Sequence, residues 1–192
     1  PLLEVLADQL SPTDFQSLML EVYRRRAARV TPSQLLSSYE QNPYVRPATI
    51  DSNTASELNH LACDFFHNSA FDMLELSPVC PLGTCSGVAT VDQNKTLSTV
   101  RNTEVVSDPT NVLALECAVR RRALLKNPTG ATQRVRLSTM HRVVRPQRFQ
   151  GAASFAHFRL LGMCTAGRDE GSFRFEQETL QEQLALLLLF LN

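Results

Sequence analysis

The cysteine, histidine, serine and arginine residues of this sequence fall into a few groupings that bear on chemistry. Cys80 and Cys85 stand five positions apart, and with His141 or His157 they offer the thiolate and imidazole donors that hold zinc. A C-x4-C pair without a second close pair reads more plainly as two buried thiols. Gly83-Thr84-Cys85-Ser86-Gly87 has the glycine content of a phosphate-cradling loop but not its lysine, so a Gly-rich hairpin is the simpler reading. Ser86 with either histidine would pair a nucleophile with a base, yet no G-x-S-x-G surrounds it. Basic charge is carried almost wholly by arginine: of 19 basic residues only Lys95 and Lys126 are lysine. A guanidinium matches carboxylate and phosphate oxygens in pairs, although a GC-rich genome would also favour arginine. Arg168 lies in Ala166–Gly171, an exposed turn from which it either stays solvated or reaches a ligand carboxylate or phosphate. Arg120–Arg122 close a helical stretch, either as a solvated cap on its carbonyl end or as a contact for RNA.

Composition bounds what such groupings can serve. The 192 residues make one domain, or one domain with a small appendage. With 43% hydrophobic and 20% charged residues the chain can bury a core and is too apolar for disorder. A net charge of zero argues against a protein built mainly to neutralise phosphate backbones. The longest apolar run, Leu184–Leu191, has eight residues where a membrane span needs about 20. No basic segment of the signal-peptide kind opens the sequence. Five cysteines without dense spacing suit reduced thiols, and hence a cytoplasmic location.

The elements that carry these residues change character along the chain. Ser11-Pro12-Thr13-Asp14 supplies a cap, a proline and a first-turn acid for a helix through Phe15, Leu18, Met19 and Val22, ending near Arg24–Arg26. Thr31-Pro32 starts a short helix that Pro43 and Pro47 stop. A third begins near Asp51 or Ser52 and carries Leu58, Leu61, Ala62, Phe65 and Phe66. Beyond residue 70 the pattern shortens. Thr96–Val100 and Glu104–Val106 read as strands, Asp108-Pro109 opens another helix, and Asn127-Pro128-Thr129-Gly130 is a turn. Arg134–Arg145 alternates as a long strand with Val135, Leu137, Thr139, His141 and Val143 on one face. Phe155–Thr165 is a second long strand, and residues 175–191 a final helix. Helices first, then strands with helices between, predict an α+β fold with a mainly antiparallel sheet.

Three segments in this order resemble the catalytic core of class II aminoacyl-tRNA synthetases, most nearly the histidyl and prolyl types. Asn68-Ser69-Ala70-Phe71-Asp72-Met73-Leu74-Glu75-Leu76-Ser77-Pro78 is similar to motif 1, with Ala70 where glycine is usual and Pro78 one residue late. Leu97-Ser98-Thr99-Val100-Arg101-Asn102-Thr103-Glu104 resembles the strand and turn that hold the amino-acid substrate, with Asn102 in place of proline; a surface turn with a solvated glutamate is the alternative. Arg136-Leu137-Ser138-Thr139-Met140-His141-Arg142-Val143-Val144-Arg145-Pro146-Gln147 resembles motif 2. After the loop Arg148–Ser154 the chain returns as Phe155–Gly162. Val144 stands where motif 2 has its glutamate, and Leu160 where the histidyl type has glutamine. The seven glycines, at 83, 87, 130, 151, 162, 167 and 171, form no GxGxGxxR, so motif 3 is missing from these residues.

The resemblance covers roughly residues 52–191 and implies a class II synthetase-like α+β domain over 51–192. Its antiparallel sheet of about six strands is flanked by helices, and a helical N-terminal appendage occupies residues 1–50. It implies Arg142 as the catalytic arginine on the α-phosphate, stabilising charge at the transferring centre. It implies Phe158 stacked on adenine, and Arg101, Thr103 and Glu104 lining the amino-acid pocket, the carboxylate pairing the substrate ammonium. ATP is the implied cofactor, with Mg2+ only where catalysis occurs. The partners implied are a second copy bound through the motif 1-like segment and an amino-acid, nucleotide or adenylate ligand. The missing motif 3 and Val144 favour a binding or regulatory paralogue. An ATP-dependent ligase that activates a carboxylate and a dimeric structural domain are the alternatives.

Overall fold

Each cap-and-proline signal forms a helix where it stands. In the computed structural model of the chain, which describes residues 1–146 and 155–192, a short helix Leu2–Glu4 (α1) runs on as a π turn, Val5–Gln9. Pro12–Ala27 (α2) is capped by the Ser11 hydroxyl on the Asp14 amide. Pro32–Gln41 (α3) starts on a capping box, in which Thr31 and Gln34 each bond the other's backbone. None of α1 to α3 buries a residue. Ser52–His67 (α4) is capped by Asp51, whose carboxylate accepts the Asn53 and Thr54 amides.

Five strands follow among the described residues, in two sheets rather than one of about six strands. Asp72–Met73 (β1) lies parallel to Val135–Val144 (β4), which pairs antiparallel with His157–Ala166 (β5). Val79–Pro81 (β2) and Thr103–Val105 (β3) form a separate antiparallel pair. Between them stand Thr84–Val88 (α5) and a 3-10 turn at Gln93–Lys95. Thr96–Val100 does not form the expected strand and contributes one bridge, Ser98 to Glu104. The Thr99 amide bonds the Thr103 carbonyl, and Asn102 turns the chain in the left-handed region at φ +53°, which asparagine tolerates better than most residues.

Pro109–Leu124 (α6) and Arg174–Leu191 (α7) lie on opposite faces of the three-stranded sheet. Leu113 and Cys117 of α6 bury against Val135 and Leu137, with Leu74, Leu76, Leu124, Cys164 and Ala166 around them. Gly162 lets α6 approach, since a Cβ there would lie 3.2 Å from Pro109 Cγ. On the other face α7 bonds the sheet through Arg136 to Glu182 and Gln183 to Thr165. Phe65, Phe66, Phe71 and Phe190 join α4 to α7 in tilted and edge-on ring contacts. Among the described residues no helix is long and apolar enough to cross a membrane.

Leu113 is fully buried at the centre of the α6–sheet contact, whereas Leu115 on the same helix is 38% exposed. Leu113→Ala is expected to cost about 2–5 kcal/mol in urea unfolding, and Leu115→Ala under about 1 kcal/mol. Equal losses would place the core elsewhere.

Candidate functional site

Ten consecutive residue pairs fix the β4–β5 register, from Val135 opposite Ala166 to Val144 opposite His157. Side chains alternate across a strand, and residues opposite each other share a face. Val143 and Phe158 therefore face α6, together with His141 and Leu160. Arg142 and Arg159 face the other way. The expected grouping of Arg142 and Phe158 around one nucleotide does not form. Phe158 packs beside the buried Cys80, Val106 and Val143, and the Arg145 guanidinium lies 5.3 Å over its ring. Arg145 is held there by the Ser107 carbonyl and, at 3.7 Å, by Asp108. Gln147 and the Arg148–Ser154 loop of the motif 2-like segment lie outside the described residues.

On its own face Arg142 lines a cleft of about 420 Å³ with Arg159, the Pro47, Ala48 and Ile50 segment, and Ser52, Ala55, Ser56 and Asn59 at the start of α4. Arg142 Nη2 donates to His157 Nδ1 at 2.8 Å, and His157 Nε2 bonds the Arg46 carbonyl at 2.7 Å. A guanidinium only donates and a carbonyl only accepts, so these partners pair with a ring whose Nδ1 accepts and whose Nε2 donates. Arg159 Nη1 reaches towards Asn59 Oδ1 at 3.5 Å. Among the described residues neither arginine has an acidic partner, and no carboxylate lines the cleft. Other arginines of the sheet and its helices are neutralised: Arg136 by Glu182, Arg134 by Glu170 and Glu178, and Arg120 by Asp72 and Glu116. Val144 is half-buried at the end of β4 and brings no polar group to the Arg142 face.

Residues 101–104 are placed elsewhere, and none of them lines this cleft. Glu104 is fully buried rather than solvated. Its carboxylate accepts the Cys85 amide at 2.8 Å, the Gly83 amide at 3.1 Å and the Gln93 side-chain amide. Burial alone would raise its pKa; the donors from Gln93, Cys85 and Gly83 outweigh that, and the net shift is downward. The expected ammonium-binding role gives way to a structural one, because donors of the chain itself already occupy both oxygens. Thr103 shares its hydroxyl with Thr99 at 2.6 Å, and Arg101 is exposed on the turn.

The remaining groupings separate in the same way. His141 and His157 lie on opposite faces, Cys85 Sγ meets the Ser107 hydroxyl, and Ser86 bonds Gln93. No cluster of three or more metal-ligating residues forms among the described residues. Arg121 bonds the carbonyls of Gly130, Ala131 and Gln133, which leaves Arg122 as the exposed member of its run. Arg168 lies near Arg134, Glu170 and Arg174 around a separate surface hollow. Arg159 and the tethering role of His157 were not singled out from the sequence. The signal was present, since antiparallel pairing of the two expected long strands sets residue 159 near residue 142. A one-residue slip in that pairing moves every side chain to the other face, however.

Comparison with solved structures places the fold. The chain is similar to an ATP phosphoribosyltransferase regulatory subunit/histidyl-tRNA synthetase from Bacillus halodurans, at 21% identity and a TM-score of 0.52, over 77% of this chain and 37% of that one. It is also similar to pyrrolysyl-tRNA synthetase from Desulfitobacterium hafniense, at 14% identity and a TM-score of 0.52, over 82% of this chain and 52% of that one. The chain thus spans about half or less of the length of these proteins. No protein-family model matches it, and no curated protein does.

The Glu104 cluster makes a pH-dependent contribution. A carboxyl with a lowered folded pKa stabilises the fold above its unfolded value, ~4.3, and that contribution is lost as pH falls through the folded value. Glu104→Gln is expected to lower unfolding free energy at pH 7 by ~1–3 kcal/mol. The gap to the wild type should close in acid; a gap that stays constant down to pH 2 would assign Glu104 no ionic role.

Proposed function

We propose that this class II aminoacyl-tRNA synthetase-like core binds a phosphate-bearing ligand of the nucleotide or adenylate kind, ATP among them, in the cleft lined by Arg142. In this reading it does so without carrying out the whole reaction of a tRNA synthetase. One observation carries the reading: a tethered guanidinium lines an open cleft that offers it no carboxylate among the described residues. A fixed donor fork without an internal acceptor is suited to phosphate oxygens. Pro47, Ala48 and Ile50 give the same cleft an apolar wall able to meet a base, the part assigned to Phe158 by resemblance. Binding rather than activation is favoured because Glu104 serves the fold and Arg101 and Thr103 lie outside the cleft. A structural neighbour described as a regulatory subunit supplies a precedent for that division.

The reading extends to a homodimer through the segment Asn68–Pro78. Leu58 and Leu61, 43% and 58% exposed on α4, the helix that leads into it, give an apolar surface for a second copy to cover. All five cysteines are free, which supports a reducing, cytoplasmic location.

Calorimetric titration with ATP is expected to show saturable binding that Arg142→Ala weakens by ~10-fold or more. Unchanged affinity would remove Arg142 from the site. Exchange of labelled pyrophosphate into ATP with a carboxylate substrate would instead establish the ligase reading. Light scattering should give a dimer that Leu61→Asp dissociates; a monomeric wild type would end the dimer proposal.

A further inference from the structure

Arg159 sits directly opposite Arg142 across β4 and β5, and both line the same cleft. Like charges opposed on a sheet destabilise it. Six residues back along the same face of β4, Arg136 has its charge answered by Glu182 of α7. Arg142 and Arg159 have no such answer among the described residues, so the cleft holds two positive charges that an anion from outside would relieve.

The two guanidiniums are drawn towards different walls. Arg142 is tied through His157 to the Arg46 carbonyl, at the end of the sheet beside the 46–50 segment. Arg159 leans instead towards Asn59 on α4. Each presents a planar fork that takes a pair of oxygens. The phosphodiester of an adenylate has two free oxygens and one charge, which satisfies one fork. Two phosphoryl groups in series supply a pair of oxygens to each fork, with at least one negative charge for each guanidinium.

Resting on the phosphate-ligand reading above, we infer that Arg159 is a second phosphate-binding residue and that the cleft takes a ligand with two or more phosphoryl groups in series. A monophosphate or an acyl-adenylate then engages only part of the site. The serine hydroxyls of Ser52 and Ser56 line the wall between Ile50 and Asn59, where they can donate to the remaining phosphate oxygens.

Titration of the full 192-residue chain with AMP, ADP, ATP and inorganic pyrophosphate, in phosphate-free buffer with EDTA, tests this. ADP and ATP are expected to bind at least ~10-fold more tightly than AMP, the gain typical of an added charge-assisted contact. Arg159→Met keeps most of the aliphatic stem. It should collapse that ratio by weakening ADP, ATP and pyrophosphate more than AMP, whereas Arg142→Met should weaken all four ligands by similar factors. Circular dichroism of each variant checks that it folds. Nucleotide binding with an ADP to AMP ratio unchanged by Arg159→Met overturns the inference and leaves the nucleotide reading standing. Pyrophosphate binding that depends on Arg159, with no nucleotide bound, overturns the nucleotide reading and upholds the two-arginine site. Failure of every ligand to bind overturns both.

Discussion

The unbroken pairing of β4 with β5 is the constraint on which the rest of the molecule depends. Ten residues on each strand meet without a bulge, so one alternation decides which side chains go under α6 and which face α4 and α7. Val135, Leu137 and Val143 go under α6 and, with Leu113, Cys117 and Val106, form the two core clusters. Arg136, Arg142 and Arg159 go to the other face, where Glu182 answers the first and the cleft receives the other two. Core and candidate site are therefore two consequences of one register. No change of register could repair one without dismantling the other.

Glu104 shows how a chemically suggestive residue can be taken up by the fold. The chain between β2 and α6 is short of regular pairing, with three-residue strands and a five-residue helix. Gly83 begins that helix in the left-handed region at φ +87°, leaving the Gly83 and Cys85 amides without helical partners. The buried carboxylate accepts both, and Gln93 adds a third donor from the following turn. One side chain thus ties the start of α5 and the turn at Gln93 to β3. A buried charge is tolerated only when its lone pairs are met in this way, which is why the same group is not also free to meet a substrate.

Much of the fold was legible because its signals are local. Ser11, Thr31, Asp51 and Asp108 each cap a helix that begins one residue later. The alternation from Val135 to Val143 marks a face that is buried at all five positions. The order of the segments was enough to anticipate a class II synthetase-like core. What was not legible depends on partners distant in sequence. Thr96–Val100 has strand-forming residues, but the tight turn through Asn102 leaves it one bridge instead of a ladder. Phe158 matches the resemblance by position, yet a stacking residue must share a face with its arginine, and facing is set by register rather than by residue type. Glu104 could be read as solvated or as ligand-binding from its neighbours alone; its donors at 83, 85 and 93 become neighbours only when β2 and β3 pair.

The arginine pair is where the fold and a ligand would have to agree. Two unit charges ~5 Å apart, the usual separation of opposed side-chain roots in a sheet, repel by ~1 kcal/mol in water and ~3 kcal/mol at an effective dielectric of 20. The long arginine stems reduce this by spreading the charged ends, and the tethers to His157 and Asn59 are consistent with such spreading. Spreading has a further effect. It opens a gap between two donor forks whose outer edges are already held by the protein, so an entering anion meets donors that need little reordering. Preorganisation of this kind lowers the ordering cost of binding. An anion bridging the forks would relieve the residual repulsion, so charge opposition and affinity for an anion would be two sides of one arrangement.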